Sequence, residues 1–334
     1  MSRIEVIILP INGELQACCI NEDRIEALAR VPGDVASGEH IFPDYTARKL
    51  VLLSADGQRL RVFEILTTSP WIRQAGNVLV PPNGGRARAV AIREDIIVVG
   101  GHSRCAECLW HLSRDNEEFS WNAIGIPDEL KARGKEIDGV HFDGDRMIAV
   151  DNVIFPKWIL TYRLLNGRKF IWEGTFRLPQ HAMSERIIRT HLGKNSLWCL
   201  SEVPNRRSQS GWPERSATFI WSQGKEKLDE LGVLATYGRE TGSKATLRGI
   251  LLEASDITEI EGALLVACGE EKIAVLSTES GAIKNADAPI SYLRTKHLAS
   301  VNRFMPAPSS IGGGVFATGY SDDGEWSNEW VPYI

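Results

Sequence analysis

Residues 50–65 read LVLLSADGQRLRVFEI: an alternating apolar run, a short polar turn and a second alternating run. Alternation with a period of two is typical of a half-buried β-strand, and Asp and Gly between two such runs indicate a hairpin. The pattern returns along the chain, most clearly at residues 109–126, 159–178, 218–234 and 273–283. The chain is therefore predicted to be an all-β array of small antiparallel sheets.

Shorter hairpins with a more apolar second arm precede these copies, for example at residues 89–100, 140–150 and 188–200. One hairpin of each class makes a four-stranded meander, with strands A to D counted outward, and such a meander is one blade of a β-propeller. The positions predicted to end strand C recur every 51 to 59 residues: Ser54, Ser113, Leu164, Ser222 and Ser277.

The spacing predicts six blades. One further step reaches residues 329–334, a strand C with no strand D after it, while residues 4–9 (IEVIIL) form a strand with no partner of its own. Pairing 4–9 with the C-terminal blade would close the ring and leave no long sheet edge. Seven blades is the alternative, because residues 67–86 and 237–256 are long enough to contain further strands. The prediction is one domain, 1–334, with blades near residues 14–66, 86–127, 138–179, 186–234, 255–290 and 300–334 plus 4–9.

Composition narrows the class of protein. The chain has 334 residues, 43% of them hydrophobic, and a net charge of −5, which gives no general attraction to nucleic acid or to an anionic membrane. No apolar stretch of signal-peptide length opens the sequence, and most of the six cysteines lie in or beside apolar runs rather than in a disulfide framework. A soluble cytoplasmic protein with free thiols is expected.

One turn carries a family resemblance. Residues 113–121 (SRDNEEFSW) resemble the Asp box of sialidase-type propellers, a Ser-x-Asp-x-Gly-x-Thr-Trp turn between strands C and D. Glu117 stands at the glycine position, and one extra residue precedes Trp121; residues 54–57 are a shorter echo. In that family the box is structural and lies away from the catalytic face. The resemblance supports a propeller and implies no glycosidase activity, leaving glycan binding without hydrolysis as a third functional hypothesis.

Two groups of residues are candidate metal ligands. Six-bladed propellers include metal-dependent lactonases and phosphotriesterases, whose ion is held by acidic and amide side chains at the channel mouth. Asp138, Asp151, Asn152 and Asp256 have that placement here, and oxygen ligands suit calcium. His102, Cys105 and Cys108 offer at most three zinc ligands. Ordinary strand-end residues, a Cys105–Cys108 disulfide and packed free thiols are the competing interpretations, so the favoured expectation is no cofactor.

Strand A of two blades places histidines near other charged groups. By alternation His141 shares a face with Asp143, and His191 shares one with Arg189. Either face could line the channel, where the groups would serve acid–base chemistry or would be solvated by channel water. A small-molecule ligand at the channel mouth is compatible with both interpretations.

The long loops predict a docking surface. The connections from B to C and from D to A share one face, and recognition usually lies on long loops held by a rigid scaffold. They are predicted at residues 31–47, 67–86, 202–216, 235–256, 284–300 and 321–328. Cations and one aromatic residue gather there, facing acidic residues of the last blade: Arg206, Arg207, Trp212, Arg215, Arg239, Lys244 and Arg248.

Mixed charge on this face favours oriented docking of a protein over nucleic-acid binding. The favoured function is a non-catalytic binding or scaffold propeller. The alternative is a metal-dependent hydrolase of lactones or phosphoesters acting at the channel mouth.

Overall fold

The computed structural model of the protein describes residues 5–21, 24–33, 39–103, 107–115, 118–128, 135–152, 157–167, 169–178, 186–203, 217–224, 254–269, 271–280, 282–283, 291–307 and 314–331. Strands make up almost all of the regular structure in these ranges, which confirms the prediction of an all-β chain. No helix within them has the length and apolar character needed to cross a membrane.

The strands are numbered β1 to β26 along the chain. In order they are β1 (Ile7–Ile11), β2 (Glu14–Asn21), β3 (Arg24–Arg30), β4 (His40–Asp44), β5 (Lys49–Leu53), β6 (Leu60–Ile65), β7 (Ile72–Leu79), β8 (Arg86–Arg93), β9 (Ile96–Ser103), β10 (Leu109–Asp115), β11 (Glu118–Ala123), β12 (Lys135–Asp143), β13 (Arg146–Asp151), β14 (Trp158–Leu165), β15 (Lys169–Arg177), β16 (Arg186–Leu192), β17 (Ser196–Val203), β18 (Ala217–Gly224), β19 (Asp256–Ile260), β20 (Ala263–Ala267), β21 (Lys272–Glu279), β22 (Ala282–Ile283), β23 (Ser291–Arg294), β24 (Leu298–Pro306), β25 (Val315–Ser321) and β26 (Trp326–Val331).

Consecutive strands pair antiparallel and form small sheets. Five sheets are ordered β1-β2-β3, β4-β5-β6-β7, β16-β17-β18, β19-β20-β21-β22 with β23 beside β21, and β24-β25-β26. The sixth is a curled eight-stranded sheet in which the meanders β8–β11 and β12–β15 are joined by pairing of β9 with β12. The predicted meander is therefore present, although its boundaries differ from the predicted ones.

The N-terminal strand pairs differently from the prediction. Residues 4–9 were expected to pair with the C-terminal blade, but β1 pairs with β2 in the register Ile7↔Cys18. Asn12 and Gly13 connect the two strands with φ of +48° and +76°, the two-residue turn that favours a hairpin between adjacent strands. A local turn of this kind costs far less entropy to close than pairing with a remote strand. β1 also lies beside β26, where the backbone bond from Gly13 N to Trp326 O (3.0 Å) and a bond from Asn328 Nδ2 to the carbonyl of Pro10 join the two segments.

Three predicted loops contain whole strands in the described residues. Residues 31–47 include β4, residues 67–86 include β7 and residues 284–300 include β23. The predicted first blade, 14–66, therefore covers strands of two sheets. Ser54 ends the second strand of its sheet, not the third as predicted, because β4 precedes β5. The sequence HIFPD of β4 hides this strand, since it has only five residues and proline is depleted in strands.

The first strands of six sheets or meanders are neighbours. β4, β8, β12, β16, β19 and β24 lie side by side in this order, and β24 also lies beside β4. The hydrophobic core is divided into layers between adjacent sheets, as in the layer that contains Trp198, Ile257 and Leu264. Successive side chains of a strand point to opposite faces of its sheet, so the apolar ones pack into the layers on both sides.

The β1–β3 sheet lies between two other sheets. Ile8 and Leu15 pack with Phe63 of β6, while Ile7 and Leu9 pack in a separate layer that includes Phe316 of β25. Burial of both faces of β1 thus holds this sheet between the β4–β7 and β24–β26 sheets.

Candidate functional site

All six first strands line one cavity of about 500 Å³. Larger depressions of about 670 and 850 Å³ exist among the described residues, but neither draws on all six of these strands. The central cavity, called the channel here, is therefore the candidate site. Its polar lining comes from β4, β12, β16, β19 and β24: His40, Asp44, His141, Arg189, Thr190, His191, Asp256, Thr258 and Arg303.

Two arginines and one aspartate form the most charged part of the channel. Arg189 Nε lies 3.5 Å from Asp256 Oδ1, with side-chain exposures of 20% and 13%. Asp256 also accepts backbone N–H groups, from Ile257 (2.9 Å) and from Phe304 (2.8 Å), so the carboxylate joins β19 to β24. Arg303 donates to the carbonyl oxygen of Glu39 at 3.0 Å. Burial and the neighbouring Arg189 lower the pKa of Arg303 to about 10.

His40 lies against the same cations. Its Nδ1 is 3.2 Å from Arg189 Nη2, and because a guanidinium only donates, Nδ1 is the acceptor. Burial, followed by the charges of Arg303, Arg189 and Arg88, lowers the pKa of His40 to about 3. The imidazole is therefore neutral at pH 7, and the positive charge of this region resides on the arginines.

Two further histidines line the channel at the ends of β12 and β16. His141 Nε2 lies 2.7 Å from Thr190 Oγ1. The strands approach closely because β12 has glycine at position 139; a Cβ there would lie 2.2 Å from Thr190 Oγ1. Burial, together with the charge of His191, lowers the pKa of His141 to about 3, and burial lowers the pKa of His191 to about 4. His141, Arg189 and His191 all line the channel, which is one of the placements that strand alternation left open.

The predicted oxygen ligands separate into two places. Asn152 is 7% exposed, accepts from Ile187 N (2.9 Å) and donates both to Ile187 O (3.0 Å) and to Asp138 Oδ2. It thereby joins β13 to β12 and β16, whereas Asp256 bonds to β24. Asp151 is buried beside Asn152 at the end of β13. In the described part of the chain no group of three or more His, Cys, Asp or Glu side chains is arranged to hold a metal ion.

The remaining predicted residues are only partly described. Cys108 is buried and His102 is exposed, while Cys105 lies outside the described residues. The zinc site therefore stays a prediction. All seven predicted partner-binding residues also lie outside the described ranges: Arg206, Arg207, Trp212, Arg215, Arg239, Lys244 and Arg248.

Sequence reasoning missed His40 and Arg303. His40 was assigned to the loop 31–47, so it was never considered as a channel residue. Arg303 lies in residues 300–334, the predicted last blade, at an inner-strand position where a charged residue interrupts an apolar run. A charged residue at such a position was the sequence signal that could have identified Arg303 as a channel residue.

No protein-family model and no curated protein sequence matches the chain. Solved structures do resemble it. One belongs to a mitotic checkpoint complex, with a TM-score of 0.55 and 10% identity over 99% of this chain and 88% of that chain. Candidate 6-phosphogluconolactonases from Bacteroides fragilis and Bacteroides uniformis give TM-scores of 0.52 and 0.53 at 12% and 13% identity, each over 87% of this chain and 81% of theirs. At such identities the likeness concerns the fold alone, which is similar to that of propeller-like proteins.

Proposed function

We propose that the chain is a β-propeller whose ring is made by the six first strands, with the β1–β3 sheet filling the sector between the first and last of the other sheets. We further propose that it is a non-catalytic binding protein that docks a protein partner on the face bearing the B-to-C and D-to-A loops. The neighbour order of the six first strands supports the ring, and the use made of the channel carboxylates supports binding over catalysis.

The observation that carries this function is that Asp256 and Asn152, two of the candidate metal ligands, use their side-chain oxygens to bond to the backbone. Both oxygens of Asp256 accept backbone N–H groups, and the amide of Asn152 bonds to the backbone of Ile187 on both sides. A metal-dependent hydrolase needs such oxygens aimed at an ion with a position left open. Here they hold neighbouring strands together.

Charge on the loop face favours a protein partner. In the described residues near these loops an exposed cation lies beside an exposed anion, as in the Arg294–Glu271 pair at 2.9 Å. Glu329 accepts from the backbone N–H groups of Lys296 and His297. Alternating charge orients an incoming partner without attracting polyanions in general. The structural neighbour found in a multiprotein complex is compatible with this use of the fold.

The test is a triple substitution on the long loop: Arg206→Ala, Arg207→Ala and Trp212→Ala. The expected result is loss of the partner recovered from cell extract by the wild-type protein. The matched control carries Arg163→Ala, Arg177→Ala and Trp172→Ala on the exposed outer strands β14 and β15 and should recover the partner as the wild type does. Equal recovery by the loop variant would rule out the proposed surface.

The second candidate is a hydrolase of lactones or phosphoesters acting in the channel. It is favoured by the two candidate lactonase neighbours and by Asp138, whose Oδ1 is buried without a partner among the described residues. Dependence of any such activity on a divalent cation separates it from the binding function.

A further inference from the structure

Two channel arginines carry more hydrogen-bond donors than the described residues accept. A guanidinium has five N–H donors. Arg303 donates to Glu39 O (3.0 Å), and Arg189 donates to His40 Nδ1 (3.2 Å) and lies 3.5 Å from Asp256. In the described part of the chain neither guanidinium has a nitrogen that is both buried and without a partner. The remaining donors therefore face the open cavity.

Charge around these donors is positive. Asp256 is the only carboxylate within ion-pair distance of either guanidinium in the described ranges. Of the other carboxylates, Glu39 pairs with Arg61 at 3.0 Å and Glu136 with Arg88 at 3.6 Å. Asp44 also lines the cavity, but it lies at the opposite end of β4 from His40 and accepts from Ala47 N at 2.7 Å. His40, His141 and His191 are neutral at pH 7 because their pKa values are lowered to about 3, 3 and 4. Arg189 and Arg303 thus share one counter-charge.

Apolar groups line the rest of the same cavity. Phe42 of β4, Phe142 of β12 and Phe304 of β24 contribute to its wall, together with Val90 and Ile257. At about 500 Å³ the cavity has the size of a small-molecule site. A wall that combines polar donors with apolar side chains fits an organic molecule better than a bare inorganic ion.

We propose that the channel binds a small organic anion, with its phosphate or carboxylate group held by Arg189 and Arg303 and its apolar body against the phenylalanines. The planar guanidinium fork matches the paired oxygens of either group, and such charge-assisted bonds are strong in a partly desolvated site. This site is independent of the proposed docking surface, because it uses inner strands and not the long loops.

Calorimetric titration at constant chloride tests the proposal with phenyl phosphate, benzoate, inorganic phosphate and phenol. Phenyl phosphate or benzoate should bind saturably with one equivalent, and the stronger of the two identifies the preferred head group. Inorganic phosphate should bind more weakly than phenyl phosphate because it lacks the apolar body, and phenol should not bind. Absence of saturable binding by both phenyl phosphate and benzoate would overturn the proposal.

Variants locate the site. Arg303→Gln should weaken binding by about tenfold or more, since it removes a charged partner. Arg163→Gln, an exposed cation on β14 that pairs with Glu173 at 2.6 Å, should leave the affinity unchanged. Arg303→Lys keeps the charge but not the fork and should give an intermediate loss. If near-ultraviolet circular dichroism shows that Arg303→Gln is misfolded, the affinity of Arg303→Lys is the measurement that tests the proposal. Wild-type affinity in the folded Arg303 variants would overturn the assignment, whatever the outcome for partner docking.

Discussion

Two polar clusters lie on the inner strands, and they differ in the partners that their hydrogen-bonding groups have within the protein. In the cluster of Asp138 and Asn152, the Asn152 amide has partners on both its oxygen and its nitrogen, and it connects three strands. The second cluster contains Asp256, Arg189, Arg303 and His40. Its one carboxylate is the counter-charge of both guanidinium groups, and the remaining N–H donors of these groups face the channel. The first cluster has the properties of a structural joint, and the second those of a ligand site. Residue type alone did not separate them.

Asn152→Ala should cause the largest loss of stability. It leaves the backbone N–H and C=O of Ile187 and the carboxylate of Asp138 without their partners in a buried place. Unsatisfied buried groups cost about 1–3 kcal/mol each, so the free energy of unfolding should fall by about 3 kcal/mol or more. Urea denaturation measures it. Asn122→Ala, which removes an exposed amide on β11, should cost less than about 1 kcal/mol, and a similar cost for both would mean that the Asn152 network is not a structural joint.

Asp256→Asn should be the next largest change and should exceed Asp138→Asn. An amide cannot accept at both of the positions where Ile257 N and Phe304 N donate, and it leaves Arg189 and Arg303 without a counter-charge. We expect a loss of about 2 kcal/mol for Asp256→Asn and about 1 kcal/mol or less for Asp138→Asn. The same denaturation experiment measures both. The reverse order would contradict the distinction between the clusters.

Lowering the pH should destabilise the protein through the channel histidines. Burial lowers their pKa values in the folded state from 6.5 to about 3 for His40 and about 4 for His191. Below pH 6.5 the unfolded chain takes up protons that the folded chain cannot, so the unfolding free energy falls as the pH drops toward the folded-state values. Between pH 7 and pH 5 each such histidine should contribute a loss of about 1–2 kcal/mol.

His40→Gln isolates one of these contributions. Glutamine keeps an acceptor for Arg189 but does not titrate, so the loss between pH 7 and pH 5 should shrink by about 1–2 kcal/mol. His297→Gln, at an exposed position, is the matched control. An unchanged pH dependence in His40→Gln would show that burial and the neighbouring arginines do not lower the pKa of His40.

Divalent cations should have the smallest effect. A ligand that binds only the folded state raises the melting temperature, yet no group of three or more His, Cys, Asp or Glu side chains in the described ranges is arranged to hold a metal ion. Calcium, magnesium, manganese and zinc at millimolar concentration should shift the melting temperature by less than about 1 °C. A saturable rise that disappears in Asp138→Asn would favour the hydrolase over the binding function.

Much of the fold was readable because strand alternation and hairpin turns are local signals. Leu109–Asp115 and Glu118–Ala123 were predicted as one hairpin and pair as β10 and β11. At the N-terminus the prediction overlooked the Asn12-Gly13 turn and therefore missed the hairpin of β1 with β2. β4 and β7 were missed because a short strand with Pro43 and a weakly alternating one look like loop.

The candidate site was only half predictable. His141, Arg189 and Asp256 were singled out from their places on inner strands, but the partner of each depends on packing between strands far apart in the chain. His40 and Arg189 are 149 positions apart, and Arg303 and Glu39 are 264 apart. No local pattern records such contacts. Only the three-dimensional arrangement shows whether a carboxylate links neighbouring strands or balances the charge of the arginines.

Pairing of β9 with β12 has a mechanical consequence. Lys135↔Ser103 and Glu136↔His102 bond the meanders β8–β11 and β12–β15 into one sheet, whereas the other described sheets meet through side chains and isolated bonds. The third of the channel wall that β8 and β12 form should therefore move as a stiff body. Local opening motions, measured as faster amide hydrogen exchange, should be concentrated at the sheet boundaries that lack strand pairing. The width of the channel should therefore vary mainly on the side of His40 and Arg303.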